Sequence, residues 1–247
     1  MSKDNTWFAN WFDSPHYHIL YKHRDFKEAE FFLKNLTDFL HPKKTDKILD
    51  LACGAGRHSI FLNKLGFDVT GVDLSPNSIE TANESKNGRL TFDVHDMREV
   101  YKEEGFNFVF NMFTSFGYFD SNEENKKMLR SIEKTLKPDG VFVLDFFNAT
   151  RVKRELVNQE TKEIDGVRFD LKREFKDGKI IKHIEFKVGE EPFSFQEKVQ
   201  AIDLLEFQKL FSQTGLKIIA TFGDYSLNEF SNQNSERLIL IAKKTNG

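Results

Sequence analysis

The chain has 247 residues, of which 39% are apolar, and its formal net charge at pH 7 is −3. This length fits a single α/β domain with an insertion, and the interspersed acids and bases give no broad basic field that would argue for nucleic acid. One cysteine excludes an intramolecular disulfide framework, and no apolar run approaches the roughly 18 residues of a membrane-spanning helix. Because the N-terminus also lacks a signal-peptide pattern, we expect a cytoplasmic protein with no membrane partner.

The first predicted feature is an aromatic segment over residues 1–24. So many aromatic side chains before the first core element are unusual for a free tail, so we expect the segment to dock on the domain. Asp25 then caps a helix, with Glu28 as the second half of a capping box. The apolar face of that helix is formed by Ala29, Phe32, Leu33, Leu36 and Leu40.

The next pattern is an apolar run, a glycine-rich turn, a helix and a second apolar run. The first run contains Asp50, the turn contains Gly54 and Gly56, and the second run ends at Asp73. Glycines let the turn adopt positive φ and allow a ligand to approach the backbone closely, while the helix that follows directs its first N–H groups at that ligand. An acid at the end of the second strand is placed to bind both hydroxyls of a ribose. The pattern therefore predicts a nucleotide-binding βαβ unit.

The charge of this turn indicates which nucleotide it binds. A dinucleotide fingerprint would need a third glycine where Ser59 stands. Asp50 also precedes the glycines, and a carboxylate there would repel a pyrophosphate but attract a sulfonium or an ammonium. The unit therefore favours adenosine that carries a cationic amino-acid tail.

Helices and strands continue to alternate along the chain to about residue 150. Ser75 and Pro76 open a helix with a cap and an N1 proline, Asn122 opens another, and Pro138–Gly140 predicts a turn. The predicted third, fourth and fifth strands are Leu90–Val94, Phe106–Phe113 and Val141–Phe147.

The pattern changes at residues 163–201, where apolar residues recur at every second position and Asp177–Gly178 gives a hairpin signal. This indicates three strands of an antiparallel sheet inserted after strand five. We therefore predict one domain, residues 1–247, with a doubly wound, mostly parallel seven-stranded sheet and this inserted sheet. The elements that complete the main sheet are a helix, Leu204–Phe211, and a closing strand pair, Lys217–Phe222 and Arg237–Ala242.

Three stretches together match a known set of motifs. Asp50–Gly56, Gly71–Ser75 and Asp93–Met97, with the spacings between them, resemble the first three motifs of class I S-adenosylmethionine-dependent methyltransferases. The resemblance covers about residues 45–150. It implies a Rossmann-like methyltransferase fold and S-adenosyl-L-methionine as the cofactor.

The same resemblance implies how the cofactor is held. Gly54 and Gly56 would pack under its methionine part, and Asp73 would bind the ribose. Leu74 would flank adenine, with an acid and a methionine at the adenine edge and face. The residues expected to bind the cofactor are Tyr21, Arg24, Asp50, Ala52, Gly54, Gly56, Asp73, Leu74, Asp96, Met97 and Met112.

An insertion at this place, with a docked N-terminal segment, resembles the small-molecule branch of the family, the sugar-amine and glycine N-methyltransferases. In that branch the inserted sheet covers the substrate pocket, and an N-terminal tyrosine contacts the cofactor. Tyr17 or Tyr21 would do so here, with Arg24 near the cofactor carboxylate. The stretch Met112–Tyr118 resembles the segment that lines the transferred methyl group, which implies a substrate pocket formed by Phe113, Phe116 and Tyr118.

The catalytic base stays unassigned. An amine nucleophile must lose a proton, and a carboxylate or a histidine can help. Asp145 ends strand five on the side where ligands bind, but it also suits a loop-capping role. His183 lies on the polar side of an inserted strand, a position that favours a solvated histidine over a catalytic one. His18 is a third candidate, from the aromatic segment.

These patterns favour methyl transfer to a nitrogen or oxygen of a small molecule, by a monomer or homodimer without a metal. An Asn-Pro-Pro-Tyr or Asp-Pro-Pro-Tyr signature is absent after strand four, which counts against methylation of amino-adenine or glutamine. One alternative is an RNA (tRNA) methyltransferase of the same fold, and another is a non-enzymatic module that binds an adenosyl ligand. The RNA alternative is supported only by basic residues of the insertion, namely Lys172, Arg173, Lys176, Lys179, Lys182 and Lys187.

Overall fold

The computed structural model describes residues 7–22 and 26–245. Its strands, in chain order, are β1 (Lys47–Leu51), β2 (Asp68–Asp73), β3 (Leu90–Val94), β4 (Phe106–Asn111), β5 (Leu136–Phe147), β6 (Gln159–Ile164), β7 (Val167–Lys176), β8 (Lys179–Val188), β9 (Glu191–Gln200), β10 (Leu216–Phe222) and β11 (Arg237–Lys244). Its helices are α1 (Trp7–Phe12), α2 (Pro15–Leu20), α3 (Phe26–Leu40), α4 (Arg57–Lys64), α5 (Pro76–Asn83), α6 (Asn122–Thr135), α7 (Ala149–Arg154) and α8 (Leu204–Ser212).

The main sheet has seven strands in the order β10-β11-β5-β4-β1-β2-β3. Strands β1 to β5 pair in parallel, and β11 runs antiparallel to both of its neighbours. This confirms the predicted doubly wound, mostly parallel sheet. Strand order reverses between β1 and β4, and in such sheets ligands bind at the carboxyl ends of the strands at this switch point.

Helices cover both faces of the main sheet, because its buried strands alternate apolar side chains between two cores. On one face α3, α4 and α5 pack over Ile48 and Phe110, and on the other α6 and α8 pack over Leu49 and Phe142. These four strand residues are at most 1% exposed. Burying one such phenylalanine contributes about 1.5–3 kcal/mol, so the many phenylalanines of the chain are chiefly core residues.

The inserted sheet consists of β6 to β9, all antiparallel to their neighbours, and has one strand more than the alternation indicates. Strand β6, Gln-Glu-Thr-Lys-Glu-Ile, was missed because only its last residue is apolar. The predicted turn at Pro138–Gly140 also differs from the structure, which has a bulge inside β5. There Asp139 has φ 60°, and the pairing with β4 shifts from Phe106–Leu136 to Phe108–Val141.

Residues 7–22, which we call the aromatic strap, pack on one face of the inserted sheet. Trp11 and Leu20 form a third core with apolar residues of β7 and β8, and both are at most 1% exposed. Ser14 caps α2 with its side chain. The predicted cap at Asp25 lies outside the described residues. Among those that are described, no helix is both long and apolar enough to cross a membrane.

Candidate active site

A cavity of about 380 Å³ opens at the carboxyl ends of β1, β2 and β4, where the strand order reverses. This volume is within the range of small-molecule sites. Most of the residues expected to bind cofactor or acceptor meet there. Those that line the cavity are Tyr21, Ala52, Gly54, Asp73, Leu74, Asp96, Met97, Met112, Phe113 and Tyr118.

The glycine turn has the backbone that the sequence predicts. Gly54 and Gly56 have φ of 55° and 82°, and Gly56 is the N-cap of α4. A Cβ at Gly56 would lie 2.8 Å from the Phe92 ring, so a larger residue cannot fit without displacing that ring. Gly56 does not line the cavity, so it shapes the turn from behind, whereas Gly54 faces the ligand space.

Asp73 is oriented by the backbone at the end of β2. One carboxylate oxygen accepts the N–H of Gly54 at 2.8 Å, and the other accepts the N–H of Ser75 at 2.9 Å. These two bonds fix the carboxylate between the glycine turn and the start of α5. The geometry suits hydrogen bonds to a pair of ribose hydroxyls at this place.

Asp50 lies below the same turn and is 1% exposed. Its Oδ2 accepts the Ser59 hydroxyl at 2.6 Å, while its Oδ1 is buried without a hydrogen-bond partner among the described residues. Burial raises the pKa of Asp50 to about 6, although Ser59 opposes the shift. A buried and incompletely satisfied carboxylate is costly, and a cationic ligand would lower that cost. The buried carboxylate of Asp50 therefore fits a ligand with a positively charged tail, such as S-adenosylmethionine.

The opposite end of the cavity is formed by the loop after β3. Partial burial opposes ionisation of Asp96, but hydrogen bonds from Arg98 hold its pKa below the usual value. Arg98 also pairs with Glu124 at 2.7 Å and lies 5.0 Å from the centre of the Phe119 ring. A carboxylate that stays ionised here can accept a hydrogen bond from an amino group such as that of adenine.

The loop after β4 has an unusual backbone. Phe113 and Thr114 have φ of 61° and 62°, a region that branched and bulky residues rarely adopt. Asp145 holds both residues, because its carboxylate accepts the N–H of Phe113 and its carbonyl accepts the N–H of Thr114, each at 2.9 Å. Arg237 binds the Asp145 carboxylate at 2.8 Å and the Thr114 hydroxyl at 3.0 Å. Tyr225 donates a further bond to the same carboxylate at 3.1 Å.

The structure shows which of the predicted catalytic and acceptor-pocket residues reach the cavity. Asp145 is 1% exposed and fully engaged, so the structure gives it the loop-holding role and not that of a base in the cavity. Phe116, predicted to line the acceptor pocket, is fully buried in the core and packs against Phe207. His183 lies on the inserted sheet beside Gln196 and Glu174, away from the cavity. Arg24 and the side chain of His18 lie outside the described part of the chain.

The aromatic strap forms the outer wall of the cavity, through Phe12, Tyr17, Tyr21 and Lys22. Phe12 contacts Tyr118 edge to face at 5.1 Å between ring centres, which joins the strap to the loop after β4. We expected the inserted sheet to cover the acceptor pocket directly. In the described chain no residue of that sheet lines the cavity, and the sheet instead supports the strap from behind.

Two lining residues of α4 were not singled out from the sequence. Arg57 lies 5.1 Å from the centre of the Phe113 ring. Burial lowers the pKa of His58 to about 3, helped by the charge of Arg57, so this imidazole is neutral near pH 7. Their signal was their position, in the first turn of the helix that follows the glycines.

Comparison with known proteins shows which enzymes this chain is similar to. A glycine/sarcosine N-methyltransferase of Aphanothece halophytica is 29% identical to this chain, over 90% of this chain and 83% of its own length. A dTDP-3-amino-3,4,6-trideoxy-alpha-D-glucopyranose N,N-dimethyltransferase of Streptomyces venezuelae is 25% identical, over 71% of this chain and 77% of its own.

The fold is likewise found in solved structures. An S-adenosylmethionine-dependent methyltransferase from Clostridium acetobutylicum superposes with a TM-score of 0.79 at 21% identity, over 97% of this chain and 98% of that one. A family model described as a methyltransferase domain matches residues 42–189, which is more than half of the chain. The chain therefore belongs to the family of methyltransferase domains, and its cofactor is S-adenosylmethionine.

Proposed function

We propose that this methyltransferase acts on a small molecule and transfers the methyl group to a nitrogen or oxygen nucleophile. The observation that carries the proposal is a cavity lined by both the glycine turn and the aromatic strap. The glycine/sarcosine and amino-sugar enzymes among its relatives support the same acceptor class. The single cysteine, Cys53, is buried and can form no disulfide within the chain, which supports a cytoplasmic setting.

We propose that three carboxylates hold the cofactor: Asp73 and Asp96 from the wall of this cavity, and Asp50, which does not line it, from beneath the glycine turn. Asp50 faces the ammonium and sulfonium end, Asp73 the ribose and Asp96 the adenine amino group. S-adenosylmethionine supplies an electrophilic methyl group when it is bound. The charge on Asp50 favours a cation at its end of the cavity, and this preference distinguishes the site from one built for a pyrophosphate.

The chain contributes to methyl transfer mainly by placing the acceptor and excluding water. Much of the cavity wall is aromatic, with Phe113 and Tyr118 from the loop after β4 and Tyr17 and Tyr21 from the strap. Ring faces attract a sulfonium by about 0.5–2 kcal/mol per contact. Phenol hydroxyls in such a wall can accept a hydrogen bond from an amine and so orient its lone pair toward the methyl group.

The basic residues of the insertion give little support to an RNA acceptor. Arg173 pairs with Glu160 at 2.7 Å, Lys179 pairs with Asp120 at 2.8 Å, and the Lys182 side chain is only 12% exposed. Half of the basic residues on which that alternative depends are thus engaged in holding the structure together. Paired charges of this kind contribute little to a field that attracts phosphates.

Titration calorimetry with S-adenosylmethionine, S-adenosylhomocysteine and NAD tests the cofactor site. We expect both adenosyl ligands to bind and NAD to bind far more weakly. Methyl transfer is then measured with glycine, sarcosine, an amino-sugar nucleotide and bulk tRNA as acceptors. Turnover of a small amine supports the proposal, whereas turnover of tRNA alone would replace it with the RNA alternative. Ligand binding without transfer to any metabolite of a cell extract would favour the non-enzymatic module.

A further inference from the structure

Glu197, on β9, has a buried carboxylate at the boundary between the inserted sheet and the aromatic strap. Its side chain is 11% exposed. It accepts the indole N–H of Trp11 at 2.7 Å and the hydroxyl of Tyr21 at 2.7 Å from each oxygen. Lys182, its cross-strand neighbour on β8, donates to the Tyr21 hydroxyl at 2.7 Å and lies 3.6 Å from the carboxylate.

A buried charge destabilises the folded protein unless it is paired and hydrogen-bonded, so the Glu197 carboxylate needs these donors. Two of its three partners belong to the strap and one to the sheet that supports it. The cluster therefore does more than pack two surfaces together: it specifies where the ring of Tyr21 and the indole of Trp11 must lie. Apolar contacts alone would tolerate sliding, because they lack direction.

Tyr21 connects this cluster to the active site. Its ring lines the cavity, whereas Trp11 and Glu197 do not. The strap is also tied on the other side of the cavity, where Asp13 accepts the Ser75 hydroxyl at 2.5 Å and the Asn77 amide at 2.8 Å. Both ties are made through carboxylates, and each includes a residue that lines the cavity, Tyr21 in one and Ser75 in the other.

We propose that Glu197 is a positioning residue of the methyl-transfer reaction. It fixes Tyr21, and through it the strap, as the wall that encloses cofactor and acceptor. The inserted sheet thereby acts on the reaction through the strap and without touching either ligand. The inference rests on the proposed function, because it takes the adenosyl cofactor as the enclosed ligand.

The test is the kinetics of S-adenosylhomocysteine binding, measured by surface plasmon resonance on the full chain. Because a hydrogen bond to a charged group is lost, Glu197→Gln and Tyr21→Phe should each release this ligand about tenfold faster. The association rate should change by less than about twofold, since the glycine turn, Asp73 and Asp96 are unchanged in both variants. Glu185→Gln is the matched control, an exposed acid on the same sheet, and should behave as wild type.

A double-mutant cycle separates positioning from general loosening. If Glu197 acts through Tyr21, the double variant should release the ligand no faster than either single variant. Trp11→Phe removes the other donor without entering the cavity, and it should also accelerate release. This second variant keeps the proposal testable if Glu197→Gln fails to fold.

Three results would overturn the inference: a wild-type release rate in Glu197→Gln, effects that multiply in the double variant, or a lower binding stoichiometry with an unchanged release rate. Failure of the wild-type protein to bind S-adenosylhomocysteine would instead contradict the proposed function. The two failures are therefore distinguishable in one data set.

Discussion

Asp50 and Asp73 end neighbouring strands of the main sheet, yet their surroundings give them different tasks. Asp73 is partly exposed and accepts a backbone N–H on each oxygen, so the orientation of its carboxylate is fixed. Asp50 is buried, and one of its oxygens has no hydrogen-bond partner in the described part of the chain, so its negative charge destabilises the ligand-free protein. The first arrangement suits neutral hydroxyls and the second suits a cation.

Removing the Asp73 carboxylate should weaken cofactor binding. Each hydrogen bond from a ribose hydroxyl to this charge contributes roughly 1.5–3 kcal/mol, so Asp73→Ala should raise the dissociation constant of S-adenosylhomocysteine at least tenfold. Asp73→Asn, which keeps one acceptor oxygen, should cost less. Asp68→Ala, at the other end of β2, is the control. Unchanged affinity in a variant with a normal melting curve would refute the ribose assignment.

Asp50 predicts opposite pH dependences for stability and binding. Its folded-state pKa of about 6 lies above the ordinary 3.8, so between these values the folded state binds more protons than the unfolded state. The free energy of unfolding without ligand should therefore fall as the pH rises through this window. Cofactor affinity should instead fall as the pH is lowered, because protonation of Asp50 removes the charge that attracts the cationic tail.

Asp50→Asn tests both statements in one variant. At pH 8 it should stabilise the ligand-free protein by on the order of 1–3 kcal/mol, because the buried charge is gone. It should also bind S-adenosylmethionine more weakly and lose the acid dependence of binding. Denaturant titrations and calorimetry at pH 5, 6.5 and 8 measure the two effects. A variant less stable than wild type at pH 8 would show that the buried charge of Asp50 does not destabilise the ligand-free protein.

At the residue scale, the positions of the glycine turn and of the acid after it could be predicted because their signal is local. Gly54, Gly56 and Asp73 follow from a strand, a turn and a strand that are contiguous in sequence. The prediction that Phe116 lines the acceptor pocket was wrong because the direction of its side chain depends on Phe113 and Thr114. The positive φ angles of these two residues cannot be predicted from residue type. A backbone conformation imposed by a distant buried ion pair cannot be read from the neighbouring sequence.

At the scale of elements, that ion pair joins three pieces of the chain. Asp145 lies two residues before the end of β5, Arg237 begins β11, and both hold the strained loop after β4. The loop carries Met112 and Phe113 into the wall of the cavity. The strain is tolerated because several bonds over-determine the conformation, an arrangement typical of functional sites.

Asp145→Asn should therefore destabilise the fold, because it leaves the buried guanidinium of Arg237 without its counter-charge. Breaking such a pair from one side costs about 3–5 kcal/mol. Asp145→Asn combined with Arg237→Met should recover part of this loss, since no unpaired charge remains. Guanidinium denaturation of the three proteins measures it. If Asp145 were instead the catalytic base, the single variant would keep its stability and lose the acidic limb of its pH–rate profile.

The whole molecule has three layers around its cavity: the main sheet, the aromatic strap and the inserted sheet. The first was predictable because each of its elements has its own period and caps. The arrangement of the other two was not, because it depends on contacts between residues far apart in the chain, such as Trp11 with Glu197. Alternation identified an inserted sheet with an apolar face, but it could not show that the strap, and not the ligand, occupies that face.

This arrangement predicts how the molecule responds to its cofactor. Because the strap contacts both the cavity and the inserted sheet, ligand binding should slow opening of the strap and of the strands behind it together. Hydrogen exchange with and without S-adenosylhomocysteine should therefore show added protection in residues 7–22 and in β8 and β9, besides the glycine turn. Strand β10, at the far edge of the main sheet, is the internal control and should exchange at the same rate in both states.

Protection confined to the glycine turn and the ends of β2 and β3 would mean that the cofactor is held by the main sheet alone. The inserted sheet would then be a separate unit whose support of the strap has no effect on the active site.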